Sequence, residues 1–317
     1  MNDGLNALEA ALAEHPEPEN PMPSARWLAA PRGVLLLGGA WAVTRAMQFR
    51  RLFSRTPEAK AAVAPRFVHW WGRYAFRLLG WRLRVEGPRP APGSVVAPNH
   101  FGYIDLIGMA AANGSFFVAQ RMMLEMKLFG MIVRAFDHPL TSRNTGREIL
   151  ETAAKMREKL ALGQSVTVFL EGTSNPGDRV WEFHNALLQA AIDMGAPVVP
   201  AGIVWSATDS RMSIADDVAY WRPEHDLGKH MYRLLGLPPV ECVVRFGEPV
   251  PSAGKSRKAL AAEVRAEVLR LSGLRDAPLR ALADRKRVAA QTASAEACTT
   301  GATAIVPPRP APKEPPE

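Results

Sequence analysis

The sequence predicts an α/β fold, and three observations carry that prediction. Short apolar runs rich in Val and Ile alternate with amphipathic stretches of helical period between residues 81 and 274. Pro and Gly clusters separate these runs at loop-like intervals. The chain has 317 residues, 47% of them hydrophobic, enough to bury one large core with loose ends rather than two equal domains.

The two ends read differently from the middle. Residues 1–26 are rich in Pro, Glu and Asn after a short Ala/Leu patch and predict a disordered arm. They lack the basic n-region and apolar core of a secretory signal. Residues 275–317 turn Ala-, Arg- and Thr-rich and then Pro-rich, which predicts a disordered tail. The net charge of +8 calls for an anionic partner: nucleic acid, an anionic membrane surface or a phosphorylated substrate. The two cysteines, Cys242 in an apolar run and Cys298 in the tail, have no metal-ligand spacing and make no disulfide framework. No metal and no cofactor are expected.

Residues 27–80 predict membrane-associating helices. The apolar run 33–43 is bracketed by Arg32 and Arg45, about a dozen uncharged residues where roughly 20 would be needed to cross a bilayer. That length fits an interfacial helix or a buried one better than a span. From Arg45 to Arg84 ten basic residues face a single acid, Glu58. Phe67, Trp70, Trp71, Tyr74 and Leu78 recur among them at helical spacing. Basic residues beside Trp and Phe describe a helix on anionic lipid; the alternative is a helix packed on the domain with a solvated basic face. Nucleic acid is not an expected partner, since no helix-turn-helix, zinc finger or stacking motif is present.

From residue 81 the elements follow in order. Alternation over 81–86 predicts a half-buried strand, and 87–93 is a Pro/Gly turn. Residues 94–97 form the next strand, and 106–112 a short helix. A short apolar strand covers 115–119. A Met-rich helix over 122–134 packs in the core or lines an acyl-chain groove. The helix 148–162, capped by Gly163, precedes a buried strand over 165–170. The helix 185–194, the strand 198–205, a helix over 224–235, a last strand over 241–246 and the helix 255–271 complete the domain.

The chemistry concentrates where the strand ending at Ala97 meets Pro98, Asn99, His100, Phe101, Gly102, Tyr103, Ile104 and Asp105. A spacing of five positions between His100 and Asp105 lets the carboxylate fold back onto one imidazole nitrogen and fix its tautomer. The other nitrogen is then free to take a proton from a hydroxyl. No G-x-S-x-G turn supplies a protein nucleophile, so the attacking hydroxyl belongs to a substrate. Further pieces sit beside predicted strand ends, where α/β sheets build their sites. Arg143 and Arg147 flank a helix start, an arrangement suited to a phosphate. Phe169, Leu170, Glu171, Gly172 and Thr173 make a glycine turn at a strand end, and residues 198–203 form an apolar strand broken by Pro200.

In this order and spacing the pieces resemble the glycerolipid acyltransferases, the 1-acyl-sn-glycerol-3-phosphate acyltransferases and their lysophospholipid relatives. The family's N-H-x-x-x-x-D motif matches Asn99, His100 and Asp105, and its phosphate-binding arginine falls on Arg143. Its F-P-E-G-T motif matches Phe169, Glu171, Gly172 and Thr173, with Leu170 in place of the proline. Residues 173–180 and 234–249 look most like the branch that includes lyso-ornithine lipid O-acyltransferases. Glu182, Phe183 and His184 stand where the family commonly has Pro, Phe and a basic residue, which removes a fixed positive charge.

The resemblance implies a single acyltransferase domain over residues 81–274, with a central mixed sheet flanked by helices. It implies His100 and Asp105 as catalytic residues, and Asn99, Arg143, Glu171, Gly172 and Thr173 as substrate-binding residues. A lysolipid would be the acceptor, 1-acylglycerol-3-phosphate or lyso-ornithine lipid. Acyl-CoA or acyl carrier protein would be the co-substrate, and the cytoplasmic face of a bacterial inner membrane the place of work. The other class of reading is a non-catalytic lipid-binding protein on a degenerate acyltransferase fold.

Overall fold

The computed structural model describes residues 11–16, 22–124, 127–141, 146–222 and 225–277. Its centre is a six-stranded mixed sheet in the order β1-β9-β8-β2-β6-β3. These strands are β1 (Arg82–Glu86), β2 (Val95–Pro98), β3 (Phe116–Phe117), β6 (Val166–Thr167), β8 (Val198–Ala207) and β9 (Val240–Phe246). Neighbouring pairs are parallel except β8 and β9. β2 is buried along its whole length, as an apolar run with parallel neighbours on both sides should be.

Parallel pairing decides where the chemistry goes. Val96 lies opposite Thr167 of β6 and Val199 of β8, so all three strands run out at the same edge. Residues 99–105, 169–173 and the second half of β8 therefore meet there, although the sequence separates them by about seventy and about a hundred positions.

Helices cover the sheet: α1 (Arg26–Leu52), α2 (Pro57–Ala61), α3 (Val63–Leu79), α4 (Tyr103–Ala112), α5 (Lys127–Phe136), α6 (Gly146–Ala161), α7 (Leu188–Met194), α8 (Leu227–Leu235) and α9 (Arg257–Ser272). α3 puts Phe67, Val68, Ala75, Phe76 and Leu79 into the core and has no acidic residue. It ends at Gly80, in the left-handed conformation that closes many helices. α1 is tied to its neighbours by side chain to backbone bonds: Tyr74 donates to the Leu35 carbonyl at 2.9 Å, and Arg32 to the Leu235 carbonyl at 2.9 Å. Its other face carries Trp27, Val34, Leu37, Trp41, Phe49 and Leu52 into solvent. No helix among the described residues is long and apolar enough to cross a membrane.

Several sequence expectations shift. α4 begins at Tyr103 rather than 106, so the helix starts inside the His/Asp motif and makes Asp105 a first-turn residue. The strand expected over 165–170 pairs only at Val166–Thr167. Two small sheets pair β4 (Ala119–Gln120) with β5 (Leu140–Thr141) and β7 (Arg179–Trp181) with β10 (Arg275–Ala277), so the first residues of the expected tail are a strand. Residues 11–14 of the expected arm form a helical turn with Ala11 fully buried. Both additions are fastened by charge: Glu14 accepts from Arg179 at 2.6 Å, and Arg275 pairs with Asp178. Cys242 is fully buried, and burial pushes its thiol pKa up, as for a small core residue. Cys298, the tail beyond residue 277 and Arg143 lie outside the described residues.

Candidate active site

β2 delivers Asn99 and His100 at the sheet edge. Asn99 does not face a ligand: its Oδ1 accepts from the Ile203 N–H at 2.6 Å and its Nδ2 donates to the Ile203 carbonyl at 2.9 Å. The substrate-binding role expected for Asn99 is thus replaced by a structural one, since both amide atoms are spent on pinning the motif to β8.

The turn 100–105 folds back as its spacing predicts. His100 Nδ1 lies 2.9 Å from Asp105 Oδ2. The same oxygen accepts from the Phe101 and Gly102 N–H groups, and Asp105 Oδ1 accepts from Trp205 Nε1 at 2.8 Å. A fully buried carboxylate that receives four donors is an acceptor only, so His100 carries its proton on Nδ1 and presents Nε2 as a base. Gly102, at φ +151°, is required by this turn, because a Cβ there would sit 2.8 Å from the Tyr220 carbonyl oxygen. The His100 side chain is 16% exposed, open enough to receive a small group.

Phe169 stacks on the imidazole, with ring centroids 4.1 Å apart at 26°. Phe169 thus packs one face of the ring, while the hydrogen bond to Asp105 lies in the ring plane.

Glu171 is buried, and its oxygens are used inside the protein. Oε1 accepts from the His100 N–H at 2.7 Å; Oε2 accepts from Trp181 N at 2.8 Å and Asn175 Nδ2 at 3.0 Å. Burial without a countercharge pushes its pKa up to about 8, while these donors pull the other way. Three N–H donors leave no acceptor for a carboxyl proton, so the geometry is that of the ionised form. The expected contact of Glu171 with substrate is corrected: the carboxylate holds the backbone of His100. Gly172 turns at φ +72°, and a Cβ there would lie 2.6 Å from His184 Cδ2. Thr173 follows, half-buried, on the same turn.

Of the arginines, Arg147 points into solvent and donates to Glu151 at 3.1 Å, one turn along its own helix. Among the described residues no group of His, Cys, Asp and Glu side chains comes together to hold a metal. Sequence reading missed Trp205, Asn175 and the ring-stacking role of Phe169. Only Phe169 had a local signal, its place one residue before the strand-end turn.

Residues 82–204 match the Acyltransferase family model. The matched stretch runs from β1 into β8 and includes every residue of the arrangement above except Trp205, one position beyond it, and Tyr220. The chain is 26% identical over 203 residues to a lyso-ornithine lipid O-acyltransferase of Pseudomonas aeruginosa, covering 64% of this chain and 77% of that one. It is 27% identical to the enzyme of that name from Brucella abortus, covering 67% and 83%. Over 125 residues it is 32% identical to a 1-acyl-sn-glycerol-3-phosphate acyltransferase of Neisseria gonorrhoeae, covering 38% and 49%. The crystal structure of the 1-acyl-sn-glycerophosphate (LPA) acyltransferase PlsC of Thermotoga maritima superposes with a TM-score of 0.52 at 21% identity, covering 77% of this chain and 97% of that chain. The chain thus has the fold that the sequence resemblance implied.

Proposed function

We propose that this acyltransferase moves a fatty acyl group from a thioester donor, acyl-CoA or acyl carrier protein, to the hydroxyl of a lysolipid. The observation that carries the reading is the His100–Asp105 pair, 2.9 Å apart with the second imidazole nitrogen unassigned. His100 Nε2 takes the proton of the acceptor hydroxyl as its oxygen attacks the thioester carbonyl. The tetrahedral intermediate collapses with loss of the thiolate, which recovers the proton from the imidazolium. Asp105 holds the tautomer and stabilises the imidazolium; Asn99, Glu171 and Phe169 hold the histidine. Gly172, Thr173 and Arg143 are assigned to the acceptor head group. The lyso-ornithine lipid enzymes align over more of this chain than the glycerol-phosphate enzymes do, which favours lyso-ornithine lipid with 1-acylglycerol-3-phosphate as the second candidate.

The exposed apolar face of α1 supports work at a membrane surface, on the cytoplasmic face of the inner membrane, with anionic lipid as the partner of the basic residues behind it. Purified protein assayed with acyl-CoA and acyl carrier protein against both lysolipids decides donor and acceptor. His100→Ala is expected to abolish transfer while leaving vesicle binding intact. Undiminished transfer by the folded variant, or no transfer to either acceptor by the parent, would refute the reading.

A further inference from the structure

A cavity of about 240 Å³ lies at the other end of α4 from the catalytic turn. It is bounded by Arg66, His69 and Trp70 of α3, by Arg89 from the turn after β1, and by Asn113 and Gly114 after α4. α4 has ten residues, so about 15 Å of helix separates this cavity from the His100 turn.

Its lining offers donors and no carboxylate. Arg66 and Arg89 are both exposed, and neither makes an ion pair or hydrogen bond among the described residues. The amide nitrogen of Asn113, a lining residue, is enclosed and has no hydrogen-bond partner, which costs free energy. Carbonyls at the end of α4, which would repel an anion, are in part already satisfied: Ala110 by His69 Nδ1 at 3.1 Å and Met109 by the Asn113 N–H at 2.7 Å.

The cavity is also fixed in shape. A Cβ at Gly114 would fall 2.3 Å from the Pro65 carbonyl oxygen, and one at Gly72 would fall 2.4 Å from the Ala111 nitrogen. Two glycines thus let α3 approach α4 and the following loop more closely than any other residue would. The volume is below the range of pockets that enclose whole small-molecule ligands, and suits a head group.

We propose that this cavity is a second phosphoryl-binding site, apart from the acyl-transfer centre. Each guanidinium fork offers paired, coplanar N–H donors, and a phosphoryl group presents three oxygens that two such forks can share. Trp70, 59% exposed beside the arginines, gives the rim an apolar body of the kind found where a phosphate is attached to lipid. The phosphoryl group could come from a lipid head group or from free phosphate, and the test separates the two.

The full chain is titrated with inorganic phosphate in one arm. In the other it is sedimented with phosphatidylcholine vesicles that contain or lack phosphatidic acid. The parent, Arg66→Ala/Arg89→Ala, and Arg73→Ala/Arg77→Ala are compared, the last pair removing the same charge from exposed positions on the same helix outside the cavity lining. The expected result is a loss of at least tenfold in affinity for Arg66→Ala/Arg89→Ala and a much smaller loss for Arg73→Ala/Arg77→Ala. Seen in the phosphate arm, it assigns free phosphate; seen only with phosphatidic acid, it assigns a lipid head group. Equal losses from both pairs, or no loss in either arm, overturn the site. His100→Ala is carried alongside and should bind like the parent, so failure of the catalytic reading stays separate from failure of this one.

Discussion

Glu171 receives three N–H donors on two buried oxygens, and one of those donors is the backbone of His100. A carboxamide has one acceptor, so Glu171→Gln must turn an NH2 group toward at least one of these donors. Leaving a buried donor unsatisfied costs about 1–3 kcal/mol. The variant is expected to lose that much stability and to lower kcat tenfold or more, with the acceptor KM little changed. Steady-state kinetics with denaturant unfolding checks it. A raised KM at unchanged kcat would instead place the carboxylate on the acceptor. At this scale the motif was readable where its partners were local. His100 and Asp105 sit within one turn, so their contact follows from spacing alone. Asn99 was readable as present but not as to its role, because both its amide atoms are answered by Ile203, a residue 104 positions away.

The element with the plainest consequence is α1. Twenty-seven residues long, it buries Leu36, Ala40, Thr44 and Met47 on one side and leaves Trp27 at 76%, Phe49 at 64% and Leu52 at 78% exposed on another. A helix of this length with an unburied apolar stripe gains by lying in an interface, where each aromatic side chain leaves water. Replacing Trp27, Trp41 and Phe49 together by Ser should cut partition onto anionic vesicles tenfold or more. The helical circular dichroism and the transfer to a detergent-dispersed acceptor should persist. Unaltered partitioning would show that this stripe is not what meets the bilayer. The sequence located this helix because its composition changes sharply at Trp27. Its boundary with the arm was less readable, since residues 11–16 hold to the domain through Glu14 and His15, and their partners Arg179 and Asp178 are far along the chain. The short strands β7 and β10 escaped for the same reason: three residues carry too little periodicity, and each exists only because the other lies beside it.

For the molecule as a whole, one half-buried and one buried histidine set an acid limit on stability. His138, among Phe116, Phe117 and Phe136, accepts the Phe117 N–H on Nδ1 at 3.1 Å, and burial lowers its pKa to about 4. His230, whose Nδ1 is 3.0 Å from the Tyr103 hydroxyl, is lowered to about 4 chiefly by burial. Both are neutral when folded, while in the unfolded chain they take up protons near pH 6.5. Their contribution is therefore complete above about pH 6.5 and is lost as pH falls through about 4. Urea midpoints should fall steadily from pH 7 to pH 4.5; a flat profile over that interval would contradict the neutral assignment.

What the sequence determined by itself is everything that depends on neighbours along the chain. The α/β alternation, the long helix α1 and the His100–Asp105 turn are of this kind, because helical period, strand runs and a five-residue spacing are short-range properties. Tertiary structure decided what surrounds that turn. Parallel pairing of β2 with β6 and β8 brings Glu171 to the backbone of His100 and Trp205 to the second oxygen of Asp105. The close packing of α3 on α4 in the same way brings Arg66 and Asn113 to one cavity. Such contacts depend on strand register and helix approach, which no local pattern of residues specifies.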